Sequence, residues 1–196
     1  YNFVLAIDEC YSEIYTKSAP PGGLSACREL ANNCRNILVF HSLSKRSNVP
    51  GLRSGFVAGD PNLIKKFLRL RQYGGAQIPL PIMRASEALW KDEEHVEKSR
   101  DLYREKFDFA LETLNGDLGA NRPGGGFYLW LNVGDGTTAA KKLWKESGVR
   151  VLPGEFLAKE GANGSNPGKQ FIRVALVHDL KTTRNAITQI HETLIK

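Results

Sequence analysis

The stretch Ile37-Leu38-Val39-Phe40-His41-Ser42-Leu43-Ser44-Lys45 decides how this chain folds. Ile37 to Phe40 is a short, unbroken apolar run, the pattern of a strand covered on both faces rather than an alternating, half-wet one. The run stops in hydroxyls and a lysine. Upstream, Phe3 to Asp8 reads as a second buried strand that closes on an acid. Downstream, Gly55 to Ala58 reads as a third, closed by Gly59-Asp60-Pro61. Three such runs predict a mostly parallel sheet with helices, an α/β arrangement. Pro61 suits the first position of a helix, where its missing N–H is harmless. That helix carries Leu63, Ile64, Phe67, Leu68 and Leu70 and stops near Gly74-Gly75.

Beyond Pro79 and Pro81 the pattern predicts a helix from Ile82 to Trp90, then a long one from Glu93 to Leu114. In the long helix Val96, Tyr103, Phe107, Ala110 and Leu114 fall on one stripe, and Asn115-Gly116 stops it. The rest has a different rhythm. Phe127 to Leu131 is an aromatic-rich strand. Thr137 or Thr138 caps a short helix that runs through Trp144. Val149 to Leu152 and Phe171 to Val177 read as strands, residues 162–168 as a loop, and Leu180 to Ile195 as a last helix. Residues 1–92 are therefore expected to form an α/β unit, and residues 93–196 a smaller α+β unit led by the long helix.

Composition sets the class. Of 196 residues, 41% are hydrophobic and 24% charged, with 19 Gly and 9 Pro, which is ordinary globular usage and excludes collagen-like or disordered chains. No window approaches ~18 uninterrupted apolar residues, so no membrane partner is expected. The start lacks a basic leader and a cleavage site, so no signal peptide is expected. It also lacks Met and runs straight into a strand-like stretch, which predicts a preceding N-terminal part and exposed apolar sheet edges in this piece. Cys10, Cys27 and Cys34 form no CxxC pair, as expected for reduced thiols in a cytoplasmic protein. His41, His95, His178 and His191 show no ligand spacing, so no metal is expected. The net charge of +6 is spread along helices and interleaved with acids, for example Lys98, Arg100, Arg104 and Lys106 among Glu97, Asp101, Glu105 and Asp108. A nucleic-acid partner needs such charge on one face. An anionic small molecule suits the balance better.

The chemistry-bearing residues gather at strand ends. Asp8 closes the first strand and Tyr11 follows it. Ser42, Ser44 and Lys45 close the second. Arg53 comes eight residues after Lys45, inside Pro50-Gly51-Leu52-Arg53-Ser54-Gly55. Arg173 lies inside the apolar strand Phe171 to Leu176. Open α/β sheets bind ligands outside the carboxyl ends of their strands. A partly desolvated lysine loses its proton readily and forms a Schiff base with a carbonyl. Pyridoxal phosphate needs that lysine, a carboxylate on its ring nitrogen, and hydroxyls with a cation for its phosphate. Lys45, Asp8, Ser42, Ser44 and Arg53 supply this set, and Arg173 can fork onto a substrate carboxylate. Taken singly, Asp8 reads as a cap, Tyr11 as a half-buried aromatic, Lys45 as a surface lysine, Ser42 and Ser44 as strand-end hydroxyls, and Arg53 or Arg173 as a structural ion-pair member. Their joint spacing argues for the site.

At these residues the chain resembles the fold-type I pyridoxal-phosphate enzymes, in particular the class I/II aminotransferases. The resemblance rests on Asp8-x-x-Tyr11 after a strand, Ser42-x-Ser44-Lys45, Arg53, and Arg173 near the C-terminus. It implies that residues 1–92 are the second half of the cofactor-binding large domain and residues 93–196 the small domain. It implies pyridoxal 5'-phosphate held through Lys45 as a Schiff base, with Lys45 also moving the substrate proton. Asp8 would pair with the pyridine nitrogen and Tyr11 with the ring's phenolic oxygen. Ser42, Ser44 and Arg53 would bind the phosphate, and Arg173 the α-carboxylate of the amino acid. The implied partners are an amino acid, a keto acid and a second copy of the whole enzyme. Within the family, Tyr73-Gly74-Gly75-Ala76-Gln77-Ile78-Pro79-Leu80-Pro81, Val151-Leu152-Pro153-Gly154 and Asn166-Pro167-Gly168 look most like succinyldiaminopimelate aminotransferases of lysine synthesis. Lys45, Asp8 and Arg53 would look the same in a β-lyase or decarboxylase of this fold. An aminotransferase-like sensing domain of a transcription regulator needs fewer of these residues.

Overall fold

The computed structural model describes residues 2–29, 34–75 and 77–195, so Ala76 of the Tyr73–Pro81 stretch lies outside the described residues. The chain divides into two compact units, Tyr1–Arg100 and Asp101–Lys196.

The first unit is built on a three-stranded sheet in the order β1-β2-β3. β1 (Leu5–Asp8) runs parallel to β2 (Ile37–Ser42) and sets Asp8 opposite Phe40. β3 (Gly55–Gly59) is antiparallel to β2 and sets Ser42 opposite Gly55. Two of the three apolar runs thus pair in parallel, and the third joins the sheet antiparallel. The link from β2 to β3 holds only the single turn α2 (Leu43–Arg46) and a 3-10 turn, Pro50–Leu52. It turns the chain back at the same end instead of crossing the sheet as a parallel return would. Glycine is required at both ends of β3. A Cβ on Gly55 would stand 2.3 Å from the His41 carbonyl oxygen, and one on Gly59, whose φ is +141°, 2.0 Å from that of Ile37.

Helix α1 (Gly23–Glu29), which no periodicity announces, buries Cys27. Asp60 caps α3 (Pro61–Gly74) by accepting from the Asn62 N–H at 2.8 Å. α4 (Leu80–Lys91) and the start of α5 (Glu94–Leu114) follow. Ile14, Val39, Leu43 and Val96 are buried. Phe3, Val4 and Leu5 are not: they are 62%, 50% and 45% exposed. β1 pairs with β2 alone among the described residues, so its apolar run lacks the cover that a central strand would have.

In the second unit a three-stranded antiparallel sheet, β4-β6-β5, packs against α5, α6 (Gly136–Ser147) and α7 (Leu180–Leu194). β4 is Tyr128–Asn132, β6 is Phe171–Ala175, and β5 is only Leu152–Pro153, shorter than the expected strand. Leu129, Leu131, Ile172 and Val174 face the core with Phe107, Ala110, Leu114, Leu143, Ile187 and Ile190. Each such aliphatic side chain contributes about 1.5–3 kcal/mol of burial. The alternate positions Trp130 and Arg173, paired across the strands, lie on the other face. The cap of α6 is Asp135, which accepts from the Thr138 N–H at 2.8 Å, rather than either threonine. A carboxylate one position outside the first turn both fills an orphan N–H and meets the positive helix end.

Candidate active site

Five of the seven expected residues lie at one edge of the first unit's sheet, where β1 and β2 end. Asp8 is the last residue of β1, and its Oδ1 accepts from the Cys10 N–H at 3.0 Å. The thiol and N–H of Cys10 hold the Asp8 carboxyl below the usual carboxylate range. In return, burial and then the Asp8 carboxylate push the Cys10 thiol up to about 11, so Cys10 is a neutral donor at physiological pH. Tyr11 follows in a turn closed by the Ile14 N–H on the Tyr11 carbonyl at 3.0 Å. The Lys45 Nζ stands 5.9 Å from the centroid of the Tyr11 ring.

Ser42 ends β2 and caps α2. Its hydroxyl accepts from the Ser44 N–H at 3.1 Å, donates to the Ser44 hydroxyl at 3.0 Å, and lies 3.4 Å from the Ser54 carbonyl. Both serines and Lys45 are half-buried. The sixth residue, Arg53, reaches this end because β3 is antiparallel and begins opposite Ser42. It is exposed, adopts a left-handed φ of 52°, and its Nη1 donates to the Pro50 carbonyl at 2.9 Å. A non-glycine residue in that region stores strain of order 1–3 kcal/mol, the kind that marks functional turns.

Arg173 belongs to the second unit. Its guanidinium carbon lies 4.5 Å from the Tyr128 ring centroid, a cation–π contact. Its Nε is buried with no hydrogen-bond partner among the described residues. An orphaned guanidinium nitrogen is costly unless a ligand fills it. Arg173 lines a cleft of about 650 Å³ with Arg150, His178, Asn185 and Gln189.

Sequence reasoning passes over Arg46, which is 2% exposed immediately after Lys45, and over Glu13 and His41 beside it. Only the burial of a charged residue reveals them, and burial is not written in the local pattern. Among the described residues no group of three or more His, Cys, Asp or Glu is placed to hold a metal ion, and no helix is long and apolar enough to cross a membrane. The donor set at the sheet edge combines an amine, a carboxylate, two hydroxyls and a guanidinium. It fits a ligand with an aldehyde, a ring nitrogen and a phosphate.

The profile of the family "Aminotransferase class I and II" matches residues 1–190, and this chain belongs to that family. It is 34% identical over 173 residues to the 4-dedimethylamino-4-oxo-anhydrotetracycline transaminase OxyQ of Streptomyces rimosus, covering 88% of this chain and 46% of that protein. Among solved structures, an aminotransferase from Neisseria meningitidis matches with a TM-score of 0.92 and 46% identity, over 99% of this chain and 50% of the other. A probable N-succinyldiaminopimelate aminotransferase from Thermus thermophilus matches with a TM-score of 0.81 and 28% identity, over 97% of this chain and 50% of the other. The chain spans about half the length of these relatives. The family's cofactor is pyridoxal phosphate, and the donor set described above fits it.

Proposed function

We propose that this chain is the cofactor-anchoring and carboxylate-binding part of an aminotransferase that moves an amino group from an amino acid, glutamate by preference, to a keto acid. The observation that carries the reading is the gathering of Lys45, Tyr11 and Asp8 at the ends of two adjacent parallel strands, with Ser42 and Ser44 beside them. Bound there, pyridoxal phosphate supplies an electron sink for the substrate's α-carbon. The Lys45 Nζ would hold the cofactor's aldehyde and would take up and return the proton at that carbon. The Asp8 carboxylate would accept from the ring N–H, and its lowered proton affinity suits it to that task. The Tyr11 hydroxyl would donate to the ring's phenolic oxygen. Ser42, Ser44 and Arg53 would hold the phosphate. Arg173 forks onto the substrate α-carboxylate, which would satisfy its orphaned Nε.

Residues 1–92 then act as the second half of a large cofactor domain and residues 93–196 as the small domain of a cytoplasmic homodimer. Succinyldiaminopimelate, in lysine biosynthesis, is the proposed amino-group partner. The likeness to the Thermus thermophilus protein supports it, and a substrate rich in carboxylates suits a chain of net charge +6. The test is an assay of the full protein with succinyldiaminopimelate and 2-oxoglutarate. Glutamate formation in wild type and none in Lys45→Ala is expected. Turnover in Lys45→Ala would overturn the assignment.

A further inference from the structure

Lys45 lies in the single turn Leu43–Arg46, whose two ends are held by different means. At the front, the Ser42 hydroxyl accepts from the Ser44 N–H at 3.1 Å, and the Leu43 N–H donates to the Ser54 carbonyl at 3.1 Å. These bonds fix Ser42 and Ser44 without help from Arg46. At the back, the work falls to Arg46. Its Nη1 donates to the Leu89 carbonyl at 2.7 Å, its Nη2 to the Glu93 carboxylate, and its guanidinium carbon lies 5.2 Å from the Trp90 ring centroid. The Leu89 carbonyl belongs to the last turn of α4, where no helical N–H follows to bond it. Donor and acceptor thus satisfy each other.

The third edge of Arg46 meets Glu13, with Nε 3.5 Å from Oε1. The same carboxylate lies 3.8 Å from His41 Nε2 and 3.7 Å from Arg100 Nη1. His41 Nδ1 accepts from the Ser42 N–H at 2.8 Å, so its proton sits on Nε2, which faces the Ser12 hydroxyl at 3.1 Å and Glu13 beyond it. Glu13 follows Tyr11 by two residues, Arg46 follows Lys45 directly, and His41 directly precedes Ser42. One carboxylate therefore joins the loop that carries Asp8 and Tyr11 to the turn that carries Ser42, Ser44 and Lys45. An ion network around a buried guanidinium is weak evidence for stability, since desolvation cancels much of the attraction. Its geometric reach is the stronger feature.

We infer that Arg46 and Glu13 are positioning residues for Lys45: they aim its side chain toward the cofactor aldehyde and leave the serines held by their own bonds. Neither is among the residues proposed above to hold the cofactor. This rests on the role of Lys45 proposed above.

The test compares two cofactor forms on the full protein. Pyridoxal 5'-phosphate binds through Lys45 as well as through its phosphate and ring. Pyridoxamine 5'-phosphate has no aldehyde and binds without Lys45. In Arg46→Lys the affinity for the aldehyde form is expected to fall 10- to 100-fold, the scale of a small misplacement, while that for the amine form stays within about threefold. The turnover number should fall with the KM of the amino donor nearly unchanged. Glu13→Gln should show the same split and carries the test alone if Arg46→Lys does not fold. Equal loss of both cofactor forms, loss of neither, or failure of both variants to fold would overturn the inference and assign the network to stability. A wild type that forms no Schiff base would instead overturn the role of Lys45 itself.

Discussion

The Lys45 Nζ stands 5.9 Å from the Tyr11 ring centroid, across the ends of two parallel strands. An ammonium at that distance from a phenol face is within cation–π range. Tyr11→Phe keeps the ring and removes only the hydroxyl. It should bind cofactor and lose about tenfold or more in turnover, the scale of one hydrogen bond to a charged partner. Turnover equal to wild type would show that the hydroxyl meets no cofactor oxygen.

Asp8 is held ionised by Cys10. Asp8→Asn keeps the shape and removes the charge, and should cost at least ~100-fold in rate, the scale of losing one strong electrostatic contact. Steady-state assay and the cofactor spectrum together check it. A near-normal rate with an ordinary spectrum would reduce Asp8 to a turn cap. Removing the thiol with Cys10→Ala should let the Asp8 carboxyl rise back toward its ordinary range.

For Arg173, Arg173→Lys should bind cofactor as wild type does and weaken amino-acid binding by about tenfold, because an ammonium cannot match two carboxylate oxygens in plane. In the wild type an amino acid should bind far better than its decarboxylated amine. Equal binding of the two would contradict the carboxylate role.

Asp60, Asp135 and Asp179 each accept backbone N–H bonds at a helix start, and each carboxyl is held below its ordinary value. A depressed folded-state value means stability that is present above the unfolded value of about 4 and is lost as pH falls through the folded one. Thermal unfolding followed from neutral to acid pH should show Tm falling in that acid window. Asp60→Asn should flatten part of the fall. An unchanged pH profile in that variant would remove Asp60 from the account.

The placement of Ser42, Ser44 and Lys45 at the end of β2 reads well from sequence because its signals are local. Ser42, Ser44 and Lys45 sit within one turn, and the apolar run before them announces β2. Strand direction is not local. β3 has the same apolar look as β2 yet runs antiparallel, because the link between them folds back through two short turns. The exposure of Phe3, Val4 and Leu5 is equally hidden, since cover depends on neighbours and not on the run itself. α1 is short and carries no clear stripe, so nothing marks it. Arg46 reads as a surface cation next to Lys45. Its partners Leu89 and Glu93 lie more than forty residues away, and only the fold brings them to it.

The most direct measurement is to load the full protein with one equivalent of pyridoxal 5'-phosphate, reduce with borohydride, digest, and map the phosphopyridoxyl mass by tandem mass spectrometry. The mark is expected on Lys45 and on no other lysine, and it should vanish in Lys45→Ala. A mark on another lysine, or its persistence in that variant, would contradict the central claim that Lys45 anchors the cofactor.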